Sequence, residues 1–316
     1  MHIHTDITNN LPEFKRAVIT IGSFDGVHTG HLQIIDQMVK EALSIGGTPV
    51  VITFHPHPKQ VVGNNSEPLM VLNTREEKYQ LLGQAGIDHI IEIPFTPAFA
   101  LQTAEEYIKN FLVDKFHPHT IIIGYDHKFG NNREGDYKLL EARASEYQFR
   151  VQEIPGFVLS NITISSTKIR KALLSGDIDT AASFLGYDYF FSGKVVKGNQ
   201  LGRTLGFPTA NIAINEQEKL IPANGVYAVT IKGIKGKPLL KGMMNIGTRP
   251  TVDNSSTVII EVNIFDFDED IYGEQLTVHI KKYLRPEEKF NGLETLKKAI
   301  QRDKEICMQL IALGVL

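Results

Sequence analysis

Two histidines three positions apart, His28 and His31, stand in the stretch GSFDGVHTGH (residues 22–31), directly behind the apolar run VITI. Gly22, Gly26 and Gly30 let the intervening backbone come close to a ligand. A helix opening near His31 presents free N–H groups and a partial positive charge, which suits a phosphate. Imidazoles beside that terminus add hydrogen-bond donors where negative charge gathers. The same glycines would also serve a plain tight turn, so the stretch alone leaves both readings open. Its place at the end of a strand favours the ligand, because open α/β sheets bind ligands at the carboxyl ends of their strands.

Four further stretches carry candidate groups. ISSTKIRKAL (residues 164–173) puts Ser165, Ser166 and Thr167 at a helix start and Arg170 one turn inside, where a guanidinium meets phosphate bidentately. TFHPHP (residues 53–58) is a proline-stiffened strand end with His55 and His57. KGNQLGRTLGFPTANI (residues 197–212) concentrates glycines with Lys197 and Arg203, yet lacks the GK[ST] ending of a P-loop, so a different phosphate cradle is implied. Thr209 and Asn211 within it are hard oxygen donors suited to Mg²⁺. In IIEVNIFDF (residues 259–267) Glu261 points opposite to its apolar neighbours, and a carboxylate there can accept a proton from a substrate hydroxyl. Taken singly, the four also read as a serine cap with a solvated arginine, a turn, a glycine-rich hairpin and an exposed strand carboxylate.

The elements that must position these groups divide the chain in two. Up to about Leu185, the strand candidates VITI, PVVITF, HIIEI, TIIIG and FRVQEI alternate with helical patterns, the arrangement of a parallel sheet covered by helices. Thr74 with Glu77 and Thr103 with Glu106 have the spacing of capping boxes. Beyond Gly186 the segments FSGKVVK, YAVTIKG, LLKGMMNIG, VIIEVNIF and LTVHIKK give a β-rich second domain. One last helix aligns Leu293, Leu296, Ile300, Ile306 and Leu310 mostly along one face. The boundary is placed in GYDYFFSG, giving domains 1–186 and 187–316.

At 316 residues the chain has room for two cores. A net charge of −3 argues against bulk nucleic-acid binding, so any phosphate site is local. The single Cys307 excludes an internal disulfide and a thiolate zinc cluster, and it reads as a buried or surface thiol rather than a nucleophile. No signal-peptide pattern and no apolar run near the roughly 18 residues of a membrane span are present, so a cytoplasmic protein without membrane association is expected.

Together HxGH and ISSTxxR resemble the nucleotidyltransferase superfamily. More narrowly, GSFDGVHTGH, TFHPHP, IIIGYDHKFGNNREGD and ISSTKIR occur in the order found in the FAD synthetase module of bacterial bifunctional riboflavin kinase/FAD synthetases. GFPTAN, NIGTRPT, the strand glutamate and YLRPEEKF resemble the flavokinase module of the same family. The resemblance implies a Rossmann-like α/β nucleotidyltransferase domain, then a six-stranded β-barrel kinase domain with a closing helix. It implies that riboflavin is phosphorylated to FMN by ATP and that FMN is adenylylated to FAD, releasing pyrophosphate.

In the first domain the resemblance assigns His28, His31 and Arg170 to catalysis, and Gly22, Phe24, Gly30, His57, Asp126, Ser165 and Thr167 to ATP. Tyr125 is placed at the flavin; Tyr125 and His127 stand where phenylalanines are commoner. In the second, Lys197, Gly202, Arg203 and Gly206 would cradle ATP, Thr209 and Asn211 would organise Mg²⁺, and Glu261 would activate the 5′-hydroxyl. Arg285 and Asn263 would border the flavin, Asn263 where many family members carry histidine. Two other readings stay open: a monofunctional FMN adenylyltransferase with a flavin-binding second domain, and a flavin or nucleotide sensor without turnover. Oligomeric state is open.

Overall fold

In the computed structural model the described residues are 1–7, 11–63, 69–156, 158–159, 162–198, 201–250, 256–314 and 316. Asn199, Gln200 and Thr251, which belong to motifs named above, lie outside them. The chain forms two compact units, Met1–Ser166 and Thr167–Leu316.

The first unit is a parallel sheet of β1 (His2–His4), β2 (Val18–Ile21), β3 (Pro49–His55), β4 (His89–Pro94), β5 (Thr120–Gly124) and β6 (Arg150–Ile154), in the order β1-β4-β3-β2-β5-β6. Its central strands are apolar runs because both faces are covered. Ile19, Ile21, Val50, Ile52, Ile91, Ile93, Ile121 and Ile123 meet one core, and the intervening Val18, Val51, Ile90 and Ile122 meet the other. The first core includes Tyr107 and Phe111, from a helical stretch over residues 104–116 that the Thr103–Glu106 capping box opens. Its middle, Tyr107–Val113, is a π-helix, which no residue pattern announced.

The second core is closed by α1 (Thr29–Ile45), through Ile35, Met38 and Ala42, and by α3 (Arg75–Gln84), through Tyr79 and Leu82. Between these helices comes the short α2 (Pro58–Val62) at the end of β3, and α4 (Tyr137–Tyr147) precedes β6. β1 was not anticipated: HIH has no apolar alternation, and its three residues hold by pairing His2, Ile3 and His4 with His89, Ile90 and Ile91.

In the second unit β7 (Phe190–Val196), β8 (Ala210–Ala213), β9 (Gly225–Lys232), β10 (Leu240–Pro250), β11 (Ser256–Ile264) and β12 (Gln275–Arg285) close into an antiparallel barrel in the order β8-β11-β10-β9-β12-β7. Five of these strands follow the sequence reading, and β8 is the sixth that the resemblance required. It emerges from a stretch that reads as a glycine-rich hairpin, where only four residues after Pro208 pair.

Two helices, α5 (Ser166–Leu174) and α6 (Ile178–Leu185), precede the barrel. The compact units part at 166/167 rather than at the 186/187 of the sequence reading. The helices are fixed to the barrel unit: Ala223 N–H donates to Leu173 O at 3.1 Å, and Lys282 of β12 pairs with Asp179. A short α7 (Leu201–Thr204) precedes β8, and a final helix, α8 (Leu293–Ala312), follows β12. It packs Leu296, Ile300, Cys307 and Leu310 against Phe207, Met243 and Phe265. Leu293, expected on this face, is 56% exposed, because it starts the helix before the packed turns begin. Burial pushes the Cys307 thiol up to about 12, which fits the structural thiol of the sequence reading.

Candidate active sites

β2 is central in its sheet: β3 pairs on one side and β5 on the other. The chain leaves β2 toward β3 through α1 and reaches β5 only later, so the strand order reverses at β2, the crevice position for ligands in such sheets. The carboxyl ends of β3, β2 and β5 carry TFHPHP, GSFDGVHTGH and GYD respectively. Three separate sequence motifs are thereby brought to one edge.

α1 begins at Thr29, two residues before the expected start, because His28 is its N-cap: His28 Nδ1 accepts the His31 N–H at 3.3 Å. With Nδ1 accepting, the proton of a neutral His28 is on Nε2, leaving an N–H donor for a ligand. The two rings stack with centroids 3.7 Å apart, and Phe24 closes against His31 at 5.1 Å. A Cβ on Gly22 would meet that Phe24 ring at 3.2 Å. Burial lowers His28 to about 4 and holds His31 well below its usual value, with the charges of His28 and Lys78 adding to the effect on His31. Both imidazoles are neutral at neutral pH. Among the described residues, His31 Nδ1 is buried without a hydrogen-bond partner, which suits it to a ligand group.

His57 caps α2, its Nδ1 accepting the Lys59 N–H at 3.1 Å. Tyr125 is 51% exposed just past β5, where Gly156 leaves room for its ring, and Asp126 beside it is exposed. Ser165 immediately precedes α5, whose first turns carry Thr167 and Arg170. The hydroxyl of Ser166, the last residue of the first unit, donates to Asp25 O of the β2 loop at 2.8 Å. Gly30 lies in the first turn of α1.

Sequence reasoning missed the groups beneath this loop. Lys78 of α3 is buried and donates to Thr53 Oγ1 at 3.0 Å. Buried Glu92 of β4 holds Arg75, with Nε at 3.0 Å, and accepts from Tyr79 OH. REEKYQLLGQ has no clean apolar stripe, so nothing in its periodicity shows that Glu77, Lys78 and Tyr79 turn inward.

In the second unit Glu261 of β11 pairs with Asn211 of β8 on one side and Asn245 of β10 on the other. Directly opposed residues on neighbouring strands bring their Cβ atoms to about 4.5–5.5 Å, so these three polar side chains form one row. Glu261 and Asn263 line a cavity of about 540 Å³ with Thr209, Gly202, Asn245, Arg285, Glu287, and the apolar walls of Phe207, Met243, Phe290 and Leu296. Val262 and Ile264, facing the other way, line a smaller cavity of about 160 Å³ with Arg203, Phe267 and Tyr272; Thr209 borders both.

Asn263 is buried, and its Nδ2 donates to Pro208 O at 2.7 Å, fixing the residue before Thr209. Arg285 lies over Phe290 and forms a two-pronged pair with Asp303 of α8, Nε to Oδ1 at 2.9 Å and Nη2 to Oδ2 at 2.7 Å. That pairing raises the Arg285 pKa further. Gly202 allows the Phe207 carbonyl to approach, and Gly198 allows the Asn211 amide to do so. Lys197 is exposed beyond β7, and Gly206 is a turn with φ +86°; neither lines these two cavities. Asn245, Glu287 and Asp303 are the residues that sequence reasoning left without a role. Asn245 was within reach, inside the quoted NIGTRPT.

A family model for FAD synthetase matches residues 11–168, and one for riboflavin kinase matches residues 185–311. The chain is 38% identical over 287 residues to the bifunctional riboflavin kinase/FMN adenylyltransferase of Escherichia coli (strain K12), covering 91% of this chain and 90% of that protein. It is 35% identical over 305 residues to the protein of that name from Listeria monocytogenes, covering 96% of each. A solved structure described as a macrolide-efflux protein from Streptococcus pneumoniae superposes with a TM-score of 0.86 at 29% identity, over 97% of this chain and 98% of that one. Among the described residues of this chain, no helix is long and apolar enough to cross a membrane.

Proposed function

This chain belongs to the bifunctional riboflavin kinase/FMN adenylyltransferase family, and from that premise we propose how its residues divide the two reactions. The enzyme makes FMN from riboflavin and FAD from FMN, using ATP in both steps. The kinase belongs to residues 187–316, which hold the barrel, and adenylyl transfer to residues 1–186; the sequence boundary at 186/187 is kept as the functional one.

The observation that carries the kinase assignment is the strand row Asn211–Glu261–Asn245, of which Glu261 and Asn245 line the larger cavity. Riboflavin occupies that cavity with its ring system against Phe207, Met243 and Phe290, bordered by Arg285. Glu261 accepts the proton of the 5′-hydroxyl as its oxygen attacks the γ-phosphorus of ATP, and ADP leaves. The smaller cavity, with apolar walls and Arg203, takes the adenosine end, so that Thr209, shared by both, meets the phosphates. Asn263 acts through Pro208 to keep Thr209 in place.

Among the described residues no group of three or more His, Cys, Asp or Glu is arranged to hold a metal ion. The donors present are the Thr209 hydroxyl and the Asn211 amide, both oxygen ligands. They fit Mg²⁺, which binds few protein groups and shares its remaining positions with water and substrate phosphates. When bound, it would neutralise charge on the transferring phosphoryl group.

In residues 1–186, an FMN phosphate oxygen attacks the α-phosphorus of ATP and pyrophosphate leaves. His28 and His31 donate neutral N–H groups, and the α1 terminus adds its partial positive charge to the developing negative charge. His57, Asp126, Ser165, Thr167 and Arg170 complete this site by family resemblance, with Tyr125 toward the flavin.

Incubation with riboflavin and Mg-ATP tests the assignment. The enzyme is expected to accumulate FMN and then FAD. Glu261→Ala is expected to lose about 10²–10⁴-fold of the kinase rate while still converting supplied FMN to FAD. FMN formation by Glu261→Ala at the unmutated rate would refute the role of that carboxylate.

A further inference from the structure

We propose that Lys78 is a positioning residue for adenylyl transfer: its ammonium, seated on Thr53, pins the Ser23 turn and keeps a buried positive charge behind the two histidines. The inference rests on the reading that the β2 loop takes the triphosphate of ATP.

Lys78 projects inward from α3, beside the buried Glu77 and Tyr79, and its Nζ donates to Thr53 Oγ1 at 3.0 Å. An ammonium only donates, so Thr53 Oγ1 accepts there and its own hydrogen is free for Ser23 O at 3.3 Å. Thr53 lies near the end of β3, two residues before His55, and Ser23 lies in the loop behind β2. One side chain thereby ties together two of the three strand ends that carry the site.

The groups facing Lys78 come from four elements. Asp25 of the β2 loop and Glu92 of β4 favour its charged form, while Arg75 of its own helix opposes it. His31 of α1 is in turn held neutral partly by Lys78. Neither carboxylate is spare: Asp25 accepts the Leu72 N–H at 2.7 Å, and Glu92 is engaged by Arg75 and Tyr79. Burial brings the Lys78 ammonium down to about 8, close enough to neutrality that its charge is lost in mildly alkaline solution. An anion that gains from the charge must, by reciprocity, favour the proton.

The test is the ATP dependence of FAD formation from supplied FMN, with full-length protein, from about pH 6.5 to about pH 9.5. In the unmutated enzyme KM for ATP is expected to rise about tenfold above pH 8, as one charge near the phosphates is lost. Lys78→Arg keeps its charge and is expected to flatten that rise. Lys78→Met is expected to raise KM about tenfold at pH 7, with a smaller change in kcat and no further pH response. Riboflavin phosphorylation by the same proteins reports the other ATP site and is expected to keep its KM.

The same KM and pH profile in all three proteins would overturn the proposal, as would a loss confined to kcat. If Lys78→Met does not fold, the comparison with Lys78→Arg decides alone: identical alkaline rises overturn the proposal. His31→Ala separates the premise. An unchanged KM for ATP and an unchanged rate in that variant mean that the β2 loop is not the triphosphate site, whatever Lys78 does.

Discussion

Removing the Asn263 amide tests whether the loop before β8 is held from behind. Asn263 is 6% exposed and donates to Pro208 O at 2.7 Å, and Pro208 is followed by Thr209, which borders both cavities. A neutral buried hydrogen bond contributes about 1 kcal/mol net, and an acceptor left without its donor costs about 1–3 kcal/mol. Pro208 is itself exposed, so water can reach its carbonyl once the loop shifts, and the lower part of that range applies. Asn263→Ala should thus weaken the competent loop conformation by about 1–2 kcal/mol, which lowers kcat/KM for riboflavin phosphorylation by up to about 5–30-fold. The assay is FMN formation at varied Mg-ATP, with adenylylation of supplied FMN followed in parallel. Asn263→His restores a donor at the same position and should recover part of the loss. If Asn263→Ala phosphorylates riboflavin with unaltered kcat and KM for ATP, the Pro208 contact does not position Thr209.

Asp303→Ala leaves Arg285 without its two-pronged partner between β12 and α8, and should destabilise the barrel unit by about 3–5 kcal/mol, read as an earlier urea transition of that unit. An unchanged transition would show that α8 is held by its apolar face alone. His28 gives a pH prediction. Its folded value of about 4 lies below the roughly 6.5 of the unfolded chain, so the unfolded state takes up the proton first as pH falls. Stability of the sheet unit should fall through that window by up to about 3 kcal/mol. His28→Gln should flatten the slope between about pH 6.5 and pH 4 in denaturant titrations, and an unaltered slope would place the titration elsewhere.

The parallel sheet was legible because burial on both faces demands near-continuous apolar runs, and VITI, PVVITF and TIIIG supply them. The helix starts were legible where a local hydrogen bond fixes them: Thr74 and Thr103 cap with Glu77 and Glu106 as their spacing requires. The histidine pair and the strand glutamate were legible because backbone geometry alone orients them, by an N-cap in one case and by strand alternation in the other. What stayed hidden depends on partners distant in sequence. HIH becomes a strand only beside β4, and ANIA only between β7 and β11. The pairing of Arg285 with Asp303 exists only once α8 is folded over β12, and nothing marks Lys78 as inward-facing within a helix that has no apolar stripe.

The β2 loop shows why the site needs more than its histidines. Phe24 and Val27 adopt φ of +47° and +35°, left-handed values that cost about 1–3 kcal/mol each for residues with a Cβ. Both are almost fully buried, which returns about 1.5–3 kcal/mol each. Polar ties then select this one conformation: Ser23 O accepts from Thr53, Asp25 Oδ1 from the Leu72 N–H, and Asp25 O from Ser166. Ser166, the middle hydroxyl of ISST, thus helps to lock the strained turn. Donors fixed in advance need not reorganise when charge develops, which is the condition under which neutral imidazoles can stabilise a transferring phosphoryl group.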